Sequence, residues 1–389
     1  MKKNHLIFGT VLSLGLVFTT TSCSNDNDSQ QPEQETGTPG FEEIANLEYT
    51  PEYAASWNNY MSNVAALLAN DANTLYKSWN SSYDNGPAFA ATFKAHNSGD
   101  YTSAQNCIEQ IIDGCCDIAS EVGETKIGDP YNKYMAQSYT EALYAVESWY
   151  SWHSRDDYTN NIYSIRNSYY NSLDGTVNPT SLSALVNATH PNLNTDIIAA
   201  INRAAHTIQS IPQPFRNNIG SPETIEAMEA CSELEDILDK SLRQFVNSAD
   251  ENQLDAIVST YVDEVVLPTY KNLRDKNNAL KQAVAAFTAN PSNENFAHAC
   301  EAWLSAREPW EKSEAFLFGP VDALGLDPNM DSWPLDQVSI FNILKSGNFN
   351  DLNWTDGDND EKIEASQNVR GFHTLEYLLF KDGQPRTVK

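Results

Sequence analysis

The chain has 389 residues, 41% of them hydrophobic and 11% aromatic, and carries a formal charge of −29. That apolar content supports packed cores and excludes a disordered chain. The acidic excess excludes nucleic acid as a partner, because phosphate neutralisation needs clustered Lys and Arg. It suits a soluble surface and permits a cationic partner.

Residues 1–22 read as a signal peptide. Lys2 and Lys3 precede an apolar run from Leu6 to Phe18 that is too short to span a bilayer. Thr19 to Ser22 and then Cys23 follow, so Cys23 is the expected lipidation site, with the membrane as partner through the acyl chains. Residues 23–40 are polar, hold Pro32 and Pro39, and read as a lipid-anchored flexible tether. The remaining cysteines are Cys107, Cys115, Cys116, Cys231 and Cys300, an odd number with no Cys-x-x-Cys pair, so buried free thiols are expected, with at most one disulfide among some of them.

From Phe41 onward the apolar period is helical. It runs through Val64, Leu67, Leu68, Ala72 and Leu75, then Ile108, Ile111, Ile112, Cys115 and Ala119. It returns at Leu254, Ile257, Val258, Tyr261, Val262 and Val265, and at Phe296, Cys300, Trp303, Leu304 and Arg307. Breaks are expected near Asp84–Pro87, Gly123–Pro130, Asp174–Pro179 and Gly220–Pro222, and no strand run of useful length appears. The fold class is therefore all-α, two packed helical bundles at 41–250 and 251–389. Ser248 with Glu251 predicts the cap of the helix that opens the second. Residues Phe318 to Asp336, rich in Gly and Pro, form an irregular segment that serves either function or strapping.

Four segments hold chemistry-bearing side chains. In Gly371-Phe-His-Thr-Leu-Glu376, His373 and Glu376 share one helical face beside a stripe of Phe372, Leu375 and Leu379. The pair can contact one metal ion, or Glu376 can orient the His373 ring by a hydrogen bond. Gly371 costs helix stability, which a close approach of backbone or ligand would justify. In the segment around Arg307, Glu308, Trp310, Glu311 and Glu314, charges alternate with aromatics. Trp333-Pro-Leu-Asp336 places an acid past a corner. His153, Arg155, Asp156, Asp157, Asn160 and Asn161 form a dense polar run on an aromatic background.

Taken together, these segments resemble the imelysin, or M75 peptidase-like, family over most of residues 45–380. The Arg-Glu-Pro and Gly-x-His-x-x-Glu segments come late here rather than early, which suggests a circularly permuted order. The resemblance implies two helical bundles with the motif at their interface, an exported or outer-membrane location, and a link to iron uptake and its partners; with Cys23 lipidated, the expected place is the outer membrane, on its periplasmic or outer face. The implied cargo is iron, another divalent metal or an iron-containing ligand. The family's metallopeptidase label is the alternative, but a His-Glu-x-x-His zinc site is lacking. A further alternative is a module binding a small molecule, peptide or glycan. His373 and Glu376 give only two ligands; a third is sought in Glu308, Glu314, Asp336 or the His153 run.

Overall fold

A computed structural model describes residues 44, 46–97, 99–355 and 357–389. The expected signal peptide, the tether and Cys23 lie outside the described residues. Residues 39–389 form one compact unit. The all-α expectation holds. The helices that build the site are numbered here in chain order: α1 (Ala54–Asn80), α2 (Ala104–Ser120), α3 (Ser154–Tyr170), α4 (Leu267–Ala289), α5 (Asn293–Glu311), α6 (Leu326–Asp331) and α7 (Gly371–Leu379).

Helix α1 buries Trp57, Val64, Leu68, Leu75 and Trp79 along one side and lies against α4, which in turn packs on α5. Helices α2 and α3 pack on each other and carry the pair Pro191–Ser210 and Pro222–Asp236. Because α1 pairs with α4 and also touches α7, packing crosses residue 250 directly. All five described cysteines are buried free thiols. Burial pushes the Cys231 thiol up to about 12, so none is poised to react.

Three details depart from the sequence reading. The expected break near Gly123–Pro130 is instead a π-helical stretch, Glu121–Ile127, through which α2 runs on into Gly128–Met135. Gly123 serves contact there, since a Cβ would come 2.8 Å from the Cys231 Cβ. The helix Glu251–Tyr261 is capped by Asp250, not Ser248; the Asp250 side chain accepts from Asn252 N at 3.0 Å. Glu251 reaches away from Ser248 to accept from the Ala104 backbone at the start of α2. One short antiparallel hairpin closes the chain: β1 (Phe380–Lys381) pairs with β2 (Gln384–Pro385) across Asp382-Gly383, both at positive φ. Among the described residues, no helix is long and apolar enough to cross a membrane.

Candidate functional site

Helix α7 is buried on every side, including Gly371, His373 and Glu376. Its burial obliges its polar groups to find partners inside the protein. Arg370 precedes it and ion-pairs with Asp71 of α1 at 2.5 Å. Side-chain donors then hold its backbone: Tyr60 Oη donates to Val369 O (2.7 Å), Trp303 Nε1 to Phe372 O (3.0 Å) and Trp57 Nε1 to Leu378 O (3.0 Å).

His373 is the centre of a charged network in this frame. Its Nδ1 lies 3.1 Å from Glu376 Oε2. Of the two arrangements left open by the spacing, this is the hydrogen-bonded couple. Glu376 is itself held through Oε1 by Ser151 N (2.8 Å) and Ser151 Oγ (2.7 Å). On the other side of the ring, Nε2 lies 3.0 Å from Glu147 Oε1 and 3.1 Å from Asp331 Oδ1. The Trp333 ring sits 4.8 Å from the imidazole, edge to face. Its Nε1 donates to Ala145 O at 3.1 Å.

Arg307 of α5, fully buried, binds the same carboxylates. It donates to Asp331, to Glu147 Oε1 (3.0 Å) and approaches His373 Nε2 (3.2 Å). Its Nε lies 2.6 Å from Glu311 Oε1 and 3.5 Å from Asp157 Oδ2. Trp310 Nε1 donates to Asp331 Oδ2 at 2.6 Å. Asn161 of α3 donates to Glu311 Oε2 at 2.6 Å. His153 joins through Asp157, at 2.7 Å, and Ser148 Oγ donates to the other Asp157 oxygen at 2.6 Å. Lys126, brought inward by the π-helical stretch, lies 3.2 Å from Glu147 Oε2.

Burial opposes every charge here, and the partners decide the outcome. For Glu147, burial is outweighed by Lys126, His373 and Arg307, which hold its carboxyl well below the usual range. For Asp331, Arg307 and His373 outweigh burial and lower it. Burial and Arg307 work against protonation of His373, but Asp331 and Glu147 prevail and raise it well above an ordinary histidine. Burial dominates at Glu311, pushed up to about 8, and at Glu314, raised well above its ordinary value.

The turn that supplies Glu147 and Ser151 is strained. Ser148 (φ 53°) and Trp152 (φ 61°) both take the left-handed region without being glycine. Such residues cost on the order of 1–3 kcal/mol each and persist where the surroundings fix them.

Of the residues singled out from sequence, the fold brings together Gly371, His373, Glu376, Arg307, Trp310, Glu314, Trp333 and His153. It does not bring in five others. Glu308 is exposed and pairs with Lys312 one turn on. Asp336 is exposed and caps the next helix, accepting from Ser339 N at 3.0 Å. Arg155 donates to Gln209 O and Ile211 O, both at 3.1 Å, and Asp156 accepts from Gln209 Nε2 at 3.0 Å, touching the network only at its edge, 3.6 Å from His153 Nε2. Asn160 is half-buried, and its neighbour Asn161 is the residue that enters the network. On α3 the inward side chains are Asp157 and Asn161, four apart, so the helical period chose one face of the polar run. Glu147, Asp331 and Lys126 were not singled out. Asp331 had one signal, its place in the Phe318 to Asp336 segment, which was read as irregular but holds the short helices Pro320–Ala323 and Leu326–Asp331; the other two sit in a turn and a π-helical stretch, where period carries no information.

The arrangement defines an all-helical protein with a buried His–carboxylate–Arg centre assembled from distant parts of the chain. The chain belongs to the imelysin family: the family profile, Peptidase_M75 (Imelysin), matches residues 29–256 and 266–389. It is similar to a crystal structure of an imelysin peptidase from Bacteroides ovatus, with 59% identity, a TM-score of 0.88, and coverage of 89% of this chain and 100% of that one. It is also similar to Iron-regulated protein A of Synechococcus elongatus, 34% identical over 129 residues. That match takes in 33% of this chain and only 32% of the curated relative's length. A putative iron-regulated protein A precursor from Parabacteroides distasonis shares 31% identity over 45% of this chain and 52% of that one, at a TM-score of 0.42.

Proposed function

We propose that this protein binds iron as cargo at His373, Glu147 and Asp331, as an exported component of iron acquisition. The observation that carries the reading is the convergence of one imidazole nitrogen and two carboxylate oxygens within 4.8 Å of one another. One nitrogen and two oxygens suit first-row divalent metals. The electrostatics fit as well. Six carboxylates (Glu147, Asp157, Glu311, Glu314, Asp331 and Glu376) gather around Arg307 and Lys126, and a cation bound among them would displace protons that His373, Glu311 and Glu314 otherwise hold. A bound cation would take the place of the Nε2 proton, while Glu376 keeps its hold on Nδ1 and fixes the ring. The iron-regulated name of the Synechococcus elongatus relative agrees with this cargo.

Purified protein should take up Fe(II) or Fe(III) with His373→Ala losing the uptake, measured by calorimetry and elemental analysis beside a circular dichroism check of folding. Equal uptake by wild type and variant, or none by wild type, overturns the reading. A peptidase is the less favoured reading. His373 and Glu376 are fully buried, so a polypeptide reaches them only if the helices part.

The export leader and a lipid anchor at Cys23, with an envelope location, are part of the same proposal and rest on the sequence pattern. The permuted order is part of it too. Lys389 N donates to Tyr49 O at 3.1 Å, so the two ends of the folded body are neighbours, as permutation requires.

A further inference from the structure

Beside the His373 ligand set lies a second group whose oxygens converge within 4.8 Å: Glu311, Glu314 and Asp331. Acidic residues gather for many reasons, and the informative member is Glu314. It is 8% exposed, and among the described residues its carboxylate makes no hydrogen bond and no ion pair. Lys126, whose charge acts on it, places its Nζ instead 3.2 Å from Glu147 and 3.6 Å from Glu121. Glu311 is also incompletely met. Its Oε1 lies 2.6 Å from Arg307 Nε but off the N–H direction, so neither atom has a hydrogen bond. A buried carboxyl left without a partner keeps its proton, as burial makes Glu314 do, and a bound cation is a partner that would take that proton's place.

Position adds to this. Glu314 is positioned through its neighbour Ala315. Ala315 N donates to Ser164 Oγ at 3.0 Å, and the Ala315 carbonyl sits against Gly114 of α2. Asp331 belongs to both groups, so its carboxylate can face a cation on either side.

We propose that Glu311, Glu314 and Asp331 form a second cation subsite, joined to the first through Asp331, so that the centre takes two cations bridged by one carboxylate. This rests on the reading of the His373 group as a cation site. The two subsites differ in chemistry. The first offers nitrogen and oxygen; the second offers oxygen alone and so favours hard, oxygen-seeking cations.

Mn(II) is the probe, with stoichiometry read by calorimetry and spin coupling by electron paramagnetic resonance on the full folded chain. Wild type should bind two Mn(II) with an exchange-coupled spectrum. Glu314→Gln should bind one, with the six-line signal of an isolated ion. His373→Ala should weaken the first site and remove the coupling. Should Glu314→Gln fail to fold, Glu311→Gln gives the same reading. One Mn(II) in wild type, or two in folded Glu314→Gln, overturns the second subsite and leaves the proposed function standing. No Mn(II) and no iron in wild type overturns both.

Discussion

At Gly371 the backbone takes φ +89°, and a Cβ there would come within 2.5 Å of Met330 O. Both facts require glycine, for separate reasons. The contact matters because Met330 adjoins Asp331, so the closeness of α7 to α6 sets the His373–Asp331 distance. Gly371→Ala should lower stability by more than about 1 kcal/mol, read by urea unfolding, and should weaken cation uptake in proportion. Wild-type stability in that variant would contradict the account. His153 behaves differently. Burial resists its protonation, but Asp157 and Asp156 prevail and push it up to about 9, above the roughly 6.5 of an unfolded chain. A raised folded value means its pair contributes fully below about pH 6.5 and is lost as pH rises through 9. The stability difference between wild type and His153→Gln should therefore shrink across that window; a constant difference would refute it.

Among the elements, the regular helices were legible and the irregular ones were not. Apolar residues three and four apart located α1, α2 and α5, because burial on one side imposes that spacing. The same logic failed for the stretch Glu121–Ile127, whose wider turn shifts the phase and carries Lys126 inward. It failed for Glu147 and Ser151 as well, since a turn with two left-handed residues has no period to read. The motif helix was located, and its glycine was rightly read as a sign of close approach. The hairpin at Phe380–Pro385 was missed, although Asp382-Gly383 is a strong turn signal, because strands of two residues are too short to alternate. Helix contact also explains Gly114, where a Cβ would nearly overlap the Ala315 carbonyl. Gly114→Ala should force α2 from the Glu314–Phe316 turn, costing about 1–3 kcal/mol by overpacking. Thermal unfolding checks this, and an unchanged melting temperature would show that the turn yields freely.

For the whole molecule, the network joins Glu147, Arg307, Asp331 and His373, which stand far apart in sequence. Residue types and local spacing named two of the four. Which acids reach the centre depends on how α3, α5, α6 and α7 meet, and that is decided by packing. The acidic composition was read as surface solubility or affinity for cations. The fold distributes it both ways, with six carboxylates gathered around Arg307, Lys126 and His373.

The chain that leads into the folded body is clasped by the motif helix and its hairpin: Tyr377 Oη donates to Ile44 O at 2.7 Å, and Arg386 Nη1 to Leu47 O at 2.6 Å. Arg386 Nε in turn holds Tyr377 O at 2.8 Å. Tension applied upstream of Ile44 is therefore delivered to the same nine-residue helix that carries His373. Stretching the leading chain and disturbing the imidazole are, mechanically, a single event.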